Sequence, residues 1–129
     1  MGMPAAKQGD QVIYPSDVHL IQPPGTAPPV SVPHPFAGII NGGLSTNVNI
    51  MGVPAATQNS TAANTPPHVP IGGTFVKPPS NQATIMMGSA TVMINNLPAA
   101  RNGDTATTCN DPVDVVDGTV VAVGTVNIG

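Results

Sequence analysis

The tripeptide Pro-Ala-Ala occurs three times in the chain, beginning at Pro4, Pro54 and Pro98. The residues ahead of it repeat as well: "VNIMGVPAA" covers residues 48–56 and "VMINNLPAA" covers residues 92–100. Each reads as an alternating apolar strand, a two-residue turn, one apolar residue, then Pro-Ala-Ala. Met51-Gly52 and Asn95-Asn96 take the turn, where Gly and Asn tolerate the positive φ of a tight hairpin. The first copy lacks its own strand, but the chain ends in "TVNIG", and Val126-Asn127-Ile128 repeats Val48-Asn49-Ile50. Joined end to end, the two termini rebuild the missing hairpin. The repeat is therefore circular, with its break inside one hairpin. A short-period repeat of this kind fixes the architecture before any local propensity does, and here it implies a pseudo-threefold body whose termini lie close together.

The pattern predicts strands at residues 48–50, 83–87, 92–94, 113–116, 119–123 and 125–128. No window carries a 3.6-residue apolar period, so almost no helix is expected. Residues 21–36, rich in Pro, read as an extended packed arm. The chain is expected to form a single domain over residues 1–129, with repeat motifs near 3–10, 48–60 and 92–104 and the strand at 125–128 completing the first. Charged residues make up only 7% of the 129, against about 25% in ordinary domains. Disordered chains are highly charged and poor in β-branched residues, whereas this one is rich in Val, Ile and Thr. Three basic residues, Lys7, Lys77 and Arg101, against six Asp leave no basic stripe, which argues against nucleic acid as a partner. The N-terminus has no apolar segment of the export-signal type, and apolar runs such as residues 120–123 are too short to span a bilayer. One cysteine makes no internal disulfide. Synthesis in a reducing bacterial cytoplasm, without stable membrane insertion, is the expectation.

The chain holds three histidines, His19, His34 and His68, and one cysteine, Cys109. His19, His68 and Cys109 follow the proline of their own copies by 15, 14 and 11 residues. Equivalent points of a threefold body meet on its axis, so each repeat offers one donor to a common place. His34, in "VPHPF", has no repeat position demanding it but supplies a fourth. Three imidazoles and a thiolate match the tetrahedral nitrogen–sulfur preference of zinc. A small domain with three aromatic residues has little core at a narrow point, and a structural zinc contributes on the order of 10 kcal/mol of apparent binding energy to a fold. Singly, each residue has a plainer reading: a solvated loop histidine, or a small buried thiol.

"GSATVMINNLPAARNGD" and the closing "GTVVAVGTVNIG" resemble the PAAR-repeat family, named for the tetrapeptide Pro98-Ala99-Ala100-Arg101. Gly103 and Asp104 complete its motif. "MPAAKQGD" is a second match with Lys7 in place of Arg, while the middle "VPAATQNS" lacks both the basic residue and the Gly-Asp. The long Pro-rich arm resembles PAAR-like variants of contractile injection machines. What the resemblance implies is an all-β cone of short hairpins whose base sits on a trimeric spike of the VgrG or phage-baseplate type, one copy per trimer. It also implies an apical zinc on His19, His34, His68 and Cys109. The protein is then a tip that sharpens the spike of a type VI, extracellular or phage-tail-like particle, assembled in the cytoplasm and driven through a target envelope on firing. With no toxin extension after Gly129, a bare tip is expected, monomeric on its own, with any effector cargo carried separately.

The residues support that job independently. A trimeric β-spike ends in exposed strand edges, a pairing hazard unless covered, and a monomer with three equivalent hairpins can add a strand to each. Arg101 and Asp104 brace the turn after Pro-Ala-Ala, by pairing with each other or with backbone. A zinc hydrolase is the weaker alternative, because Cys109 fills the open position and no Glu exists to act as general base; no catalytic residue is assigned. An effector-recruiting adaptor, docking cargo on the arm from Gln22 to Phe36, is the other.

Overall fold

Residues 2–110 and 115–129 are described in the computed structural model of the chain, and every helix or strand among them is a strand. In chain order these are β1 (Met3–Pro4), β2 (Gln11–Gln22), β3 (Val30–Gly42), β4 (Asn49–Ile50), β5 (Val53–Pro54), β6 (Thr61–Asn64), β7 (Thr74–Phe75), β8 (Gln82–Ile85), β9 (Met93–Ile94), β10 (Leu97–Pro98), β11 (Thr105–Thr107), β12 (Val116–Val121) and β13 (Asn127–Ile128). Four of the strands read from the sequence match these to within one or two residues. The fifth, at 119–123, overlaps the end of β12. Of the sixth, at 113–116, residues 113 and 114 lie outside the described residues, and Val116 opens β12.

Three two-residue ladders stand at one end: β4 with β5, β9 with β10, and β13 with β1. The last joins the chain's two ends, with Met3 opposite Ile128 and Pro4 opposite Asn127. Met51, Gly52, Asn95 and Asn96 all have φ between 53 and 88°, the left-handed backbone that a two-residue hairpin turn requires. The Pro-Ala-Ala segments then meet around an axis. Ala56 N–H donates to Ala6 C=O at 3.0 Å, Ala100 N–H to Ala56 C=O at 3.0 Å, and Ala6 N–H to Ala100 C=O at 2.9 Å. The cycle closes on itself, and Ala6, Ala56 and Ala100 are wholly buried. No side chain larger than a methyl group fits where three backbones approach this closely. A second layer packs Ala5, Ala55 and Ala99 against Ile50, Ile94 and Ile128.

The turn after each Ala-Ala is built alike. Lys7 N–H and Arg101 N–H donate to the carboxylates of Asp10 (3.1 Å) and Asp104 (2.7 Å). In the middle copy Thr57 N–H donates to the Ser60 hydroxyl at 2.9 Å, so serine keeps the turn where the sequence lacks the Gly-Asp. Gly9, Gly103 and Asn59 share the positive φ that follows, which explains the glycine in two copies and its Asn substitute in the third. Lys7 and Arg101 also pair through their side chains with Asp10 and Asp104, at 3.1 and 2.9 Å.

From this ring each copy sends out two antiparallel strands. Their order, β2-β3-β6-β8-β11-β12 and back to β2, closes a barrel-like cone, with β7 added on the far part of β2. Its core takes Val12, Phe36, Ile40, Ile85 and Val120 among small alanines. The taper follows from strand length: β2 and β3 have 12 and 13 residues, while β6, β8 and β11 have four, four and three. The Pro-rich arm is extended, and it is paired as well as packed. Its later part is strand β3, paired with β2 from Ile21↔Val30 to Gln11↔Ile39. Pro33 and Pro35 are tolerated because β6 pairs with β3 only from Gly38 onward, leaving one side of the strand without a ladder. Residues 24–31 at the hairpin's tip are exposed.

Candidate metal centre

The narrow end collects four groups, two from the first copy and one from each of the others. His19 lies on β2 and His34 on β3, His68 in the connection from β6 to β8, and Cys109 in the connection from β11 to β12. Counting from Asp10 at the ring, His19 stands roughly 25–30 Å up the strand. Its inward direction depends on an irregularity. Between Tyr14↔Phe36 and Asp17↔His34 the register advances three residues on β2 and two on β3. The extra residue, at Pro15-Ser16, shifts the pleat by one. Below it Val12 faces the core; above it Asp17, His19 and Ile21 do.

Asp17, His19, His68 and Cys109 offer ligand atoms within 4.8 Å of one another. Asp17 Oδ2 is their common neighbour, 2.9 Å from His68 Nε2, 3.3 Å from His19 Nε2 and 3.4 Å from Cys109 Sγ. Cys109 Sγ is itself 3.7 Å from His19 Nε2. His34 falls outside this group of four, yet its ring is against it. The three imidazole centroids form a triangle with sides of 4.8, 5.5 and 5.5 Å. Three imidazoles on one tetrahedral ion at the usual zinc–nitrogen distance would place their centroids about 5 Å apart. His34 Nδ1 sits 2.9 Å from the Val32 carbonyl, which leaves Nε2 as the lone-pair nitrogen; among the described residues that buried Nε2 has no partner, nor has His19 Nδ1. An imidazole held through one nitrogen with the other bare is arranged as a metal ligand is. The donor set and its spacing fit zinc. Phe75 closes one side, 5.6 Å from the His19 ring and 5.5 Å from that of His34. A cavity of about 110 Å³ opens beside His19 and Cys109 under residues 77–80.

The local electrostatics follow from burial. Burial, and next the charge of Asp17, push the Cys109 thiol up to about 12. Burial holds the His19 pKa below its ordinary value, against the pull of Asp17. For Asp17 burial acts upward, but hydrogen bonds from His68, Thr108 and Cys109, with the charge of His19, outweigh it and hold the carboxyl low. Sequence reasoning missed Asp17. The signal was present in Asp17-x-His19, since alternate residues of a strand share a face.

A family model of the PAAR motif matches residues 31–115, about two thirds of the 129. A search among curated proteins finds no match.

Proposed function

The chain belongs to the PAAR-motif family, whose role is structural and tied to the spike tip of contractile injection systems, and from that premise we propose that it caps and sharpens a trimeric, VgrG-like spike, one copy per trimer. The observation carrying this is the closed cycle of hydrogen bonds among Ala6, Ala56 and Ala100. It gives a single chain three equivalent hairpins about one axis, which is what a monomer needs to match a threefold partner. Exposed Met3, Met51, Met93 and Val126 on and beside those hairpins supply apolar contact area at that end, and few charges need desolvation there.

At the opposite end His19, His34, His68 and Cys109 hold a structural zinc. Bound there, zinc supplies cross-linking of all three copies at the point where β6, β8 and β11 have already ended. Cys109 binds as thiolate; His34 is oriented by the Val32 carbonyl. The particle is assembled in the bacterial cytoplasm, and firing carries the tip through the target envelope. Co-expression with the trimeric spike tests the reading: one chain per trimer is expected, and three copies, or no complex, would contradict it.

A further inference from the structure

A carboxylate at the centre of a metal site is expensive unless its charge is used. Asp17 is fully buried, and its hydrogen-bond and ion-pair partners among the described residues are His19, His68, Thr108 and Cys109. None of the four is a fixed cation. The zinc reading leaves the complementary problem. A divalent ion with one thiolate and neutral imidazoles carries a net charge of +1 into the same dry interior, where an uncompensated charge costs several kcal/mol. One further anion brings the sum to zero.

We propose that Asp17 is the charge-balancing positioning residue of this centre, beside rather than among the four ligands, and that it sets the site for a divalent over a monovalent ion. This rests on the zinc reading given above. Its placement is specific. The irregularity at Pro15-Ser16 turns Asp17 inward, and Oδ1 accepts from the Thr108 hydroxyl at 2.6 Å. That hydroxyl comes from the residue before Cys109, so the thiol and the carboxylate are tied together. Oδ2 faces His19, His68 and Cys109 at once. A fixed negative charge there attracts a divalent cation twice as strongly as a monovalent one at equal distance.

The test is competition binding of Zn2+ and, under reducing conditions, Cu+ to the full chain and its variants. Asp17→Asn keeps shape and removes charge. It is expected to retain one zinc while weakening Zn2+ by about 10–100-fold, the range for groups that support metal ligands. Cu+ should weaken by about the square root of that, roughly 3–10-fold. Thr108→Val, which releases Asp17 without altering a charge, should weaken Zn2+ in the same direction by a few-fold, and serves if Asp17→Asn does not fold. Equal losses for both ions, or none, would overturn the proposal, since removing a fixed charge must act more on the divalent ion. Retained zinc and an unchanged Co2+ spectrum in His34→Ala, with both lost in Asp17→Asn, would make Asp17 a direct ligand and overturn it too. A wild-type chain binding neither Zn2+ nor Co2+ would sink the zinc reading itself, a distinct result.

Discussion

Removing the Asp104 side chain should destabilise the fold through the turn it holds, and far more than removing its partner Arg101. The carboxylate is buried; it accepts from Arg101 N–H at 2.7 Å and from the guanidinium at 2.9 Å. Asp104→Ala leaves the part-buried Arg101 N–H without its acceptor and deletes a hydrogen bond to a charged group, worth about 1.5–3 kcal/mol. Arg101 is 24% exposed at its side chain, so Arg101→Ala should cost under about 1 kcal/mol. The middle copy provides the control. Ser60→Ala deletes two neutral bonds, from Thr57 N–H at 2.9 Å and to the Gly43 carbonyl at 2.8 Å, at about 1 kcal/mol each. Scanning calorimetry at fixed zinc would read these as losses in Tm of about 4 °C per kcal/mol for a domain of this size. The expected order is Asp104→Ala, then Ser60→Ala, then Arg101→Ala. If Arg101→Ala costs as much as Asp104→Ala, the ion pair and not the turn carries the energy, and this reasoning is wrong.

Ala100→Val should lose about 1–3 kcal/mol by overpacking the fully buried axis, measured by urea unfolding; a neutral substitution would mean the three segments can separate. Zinc removal by a chelator, or Cys109→Ser, should lower Tm sharply while leaving the far-ultraviolet spectrum of the wide end largely intact; an equally stable metal-free chain would refute a structural metal. The metal-free chain should be most stable between about pH 6.5 and 9, the ordinary values of His19 and Cys109. Below that window the unfolded state protonates His19 before the folded state does. Above it the unfolded state loses the Cys109 proton that burial retains, so Tm should fall on both sides. A flat profile would contradict the burial of both groups.

The wide end was legible because one backbone geometry, used three times, demands the same small residues each time. Pro-Ala-Ala could be read directly, and so could the hairpin split between Ile128 and Met3. That the middle turn survives without Gly-Asp was not legible, since Ser60 reproduces the bond of Asp10 and Asp104 without resembling them in charge. At the narrow end, repeat phase pointed to His19, His68 and Cys109 but was silent on Asp17. Strict alternation from Val12 would have turned Asp17 and His19 to solvent; only the extra residue at Pro15-Ser16 brings them inward. The arm was read as extended and packed, but its prolines hid that its later part is a ladder-forming strand. They are harmless where β3 has a neighbour on one side only.

In the proposed function one chain joins a threefold partner at its wide end to a single metal ion at its narrow end. Native mass spectrometry of the complex co-purified with the trimeric spike, together with elemental analysis, tests both ends at once. Three spike chains, one copy of this chain and one zinc are expected. A complex of that stoichiometry without bound metal, or zinc-loaded protein that forms no complex, would contradict it.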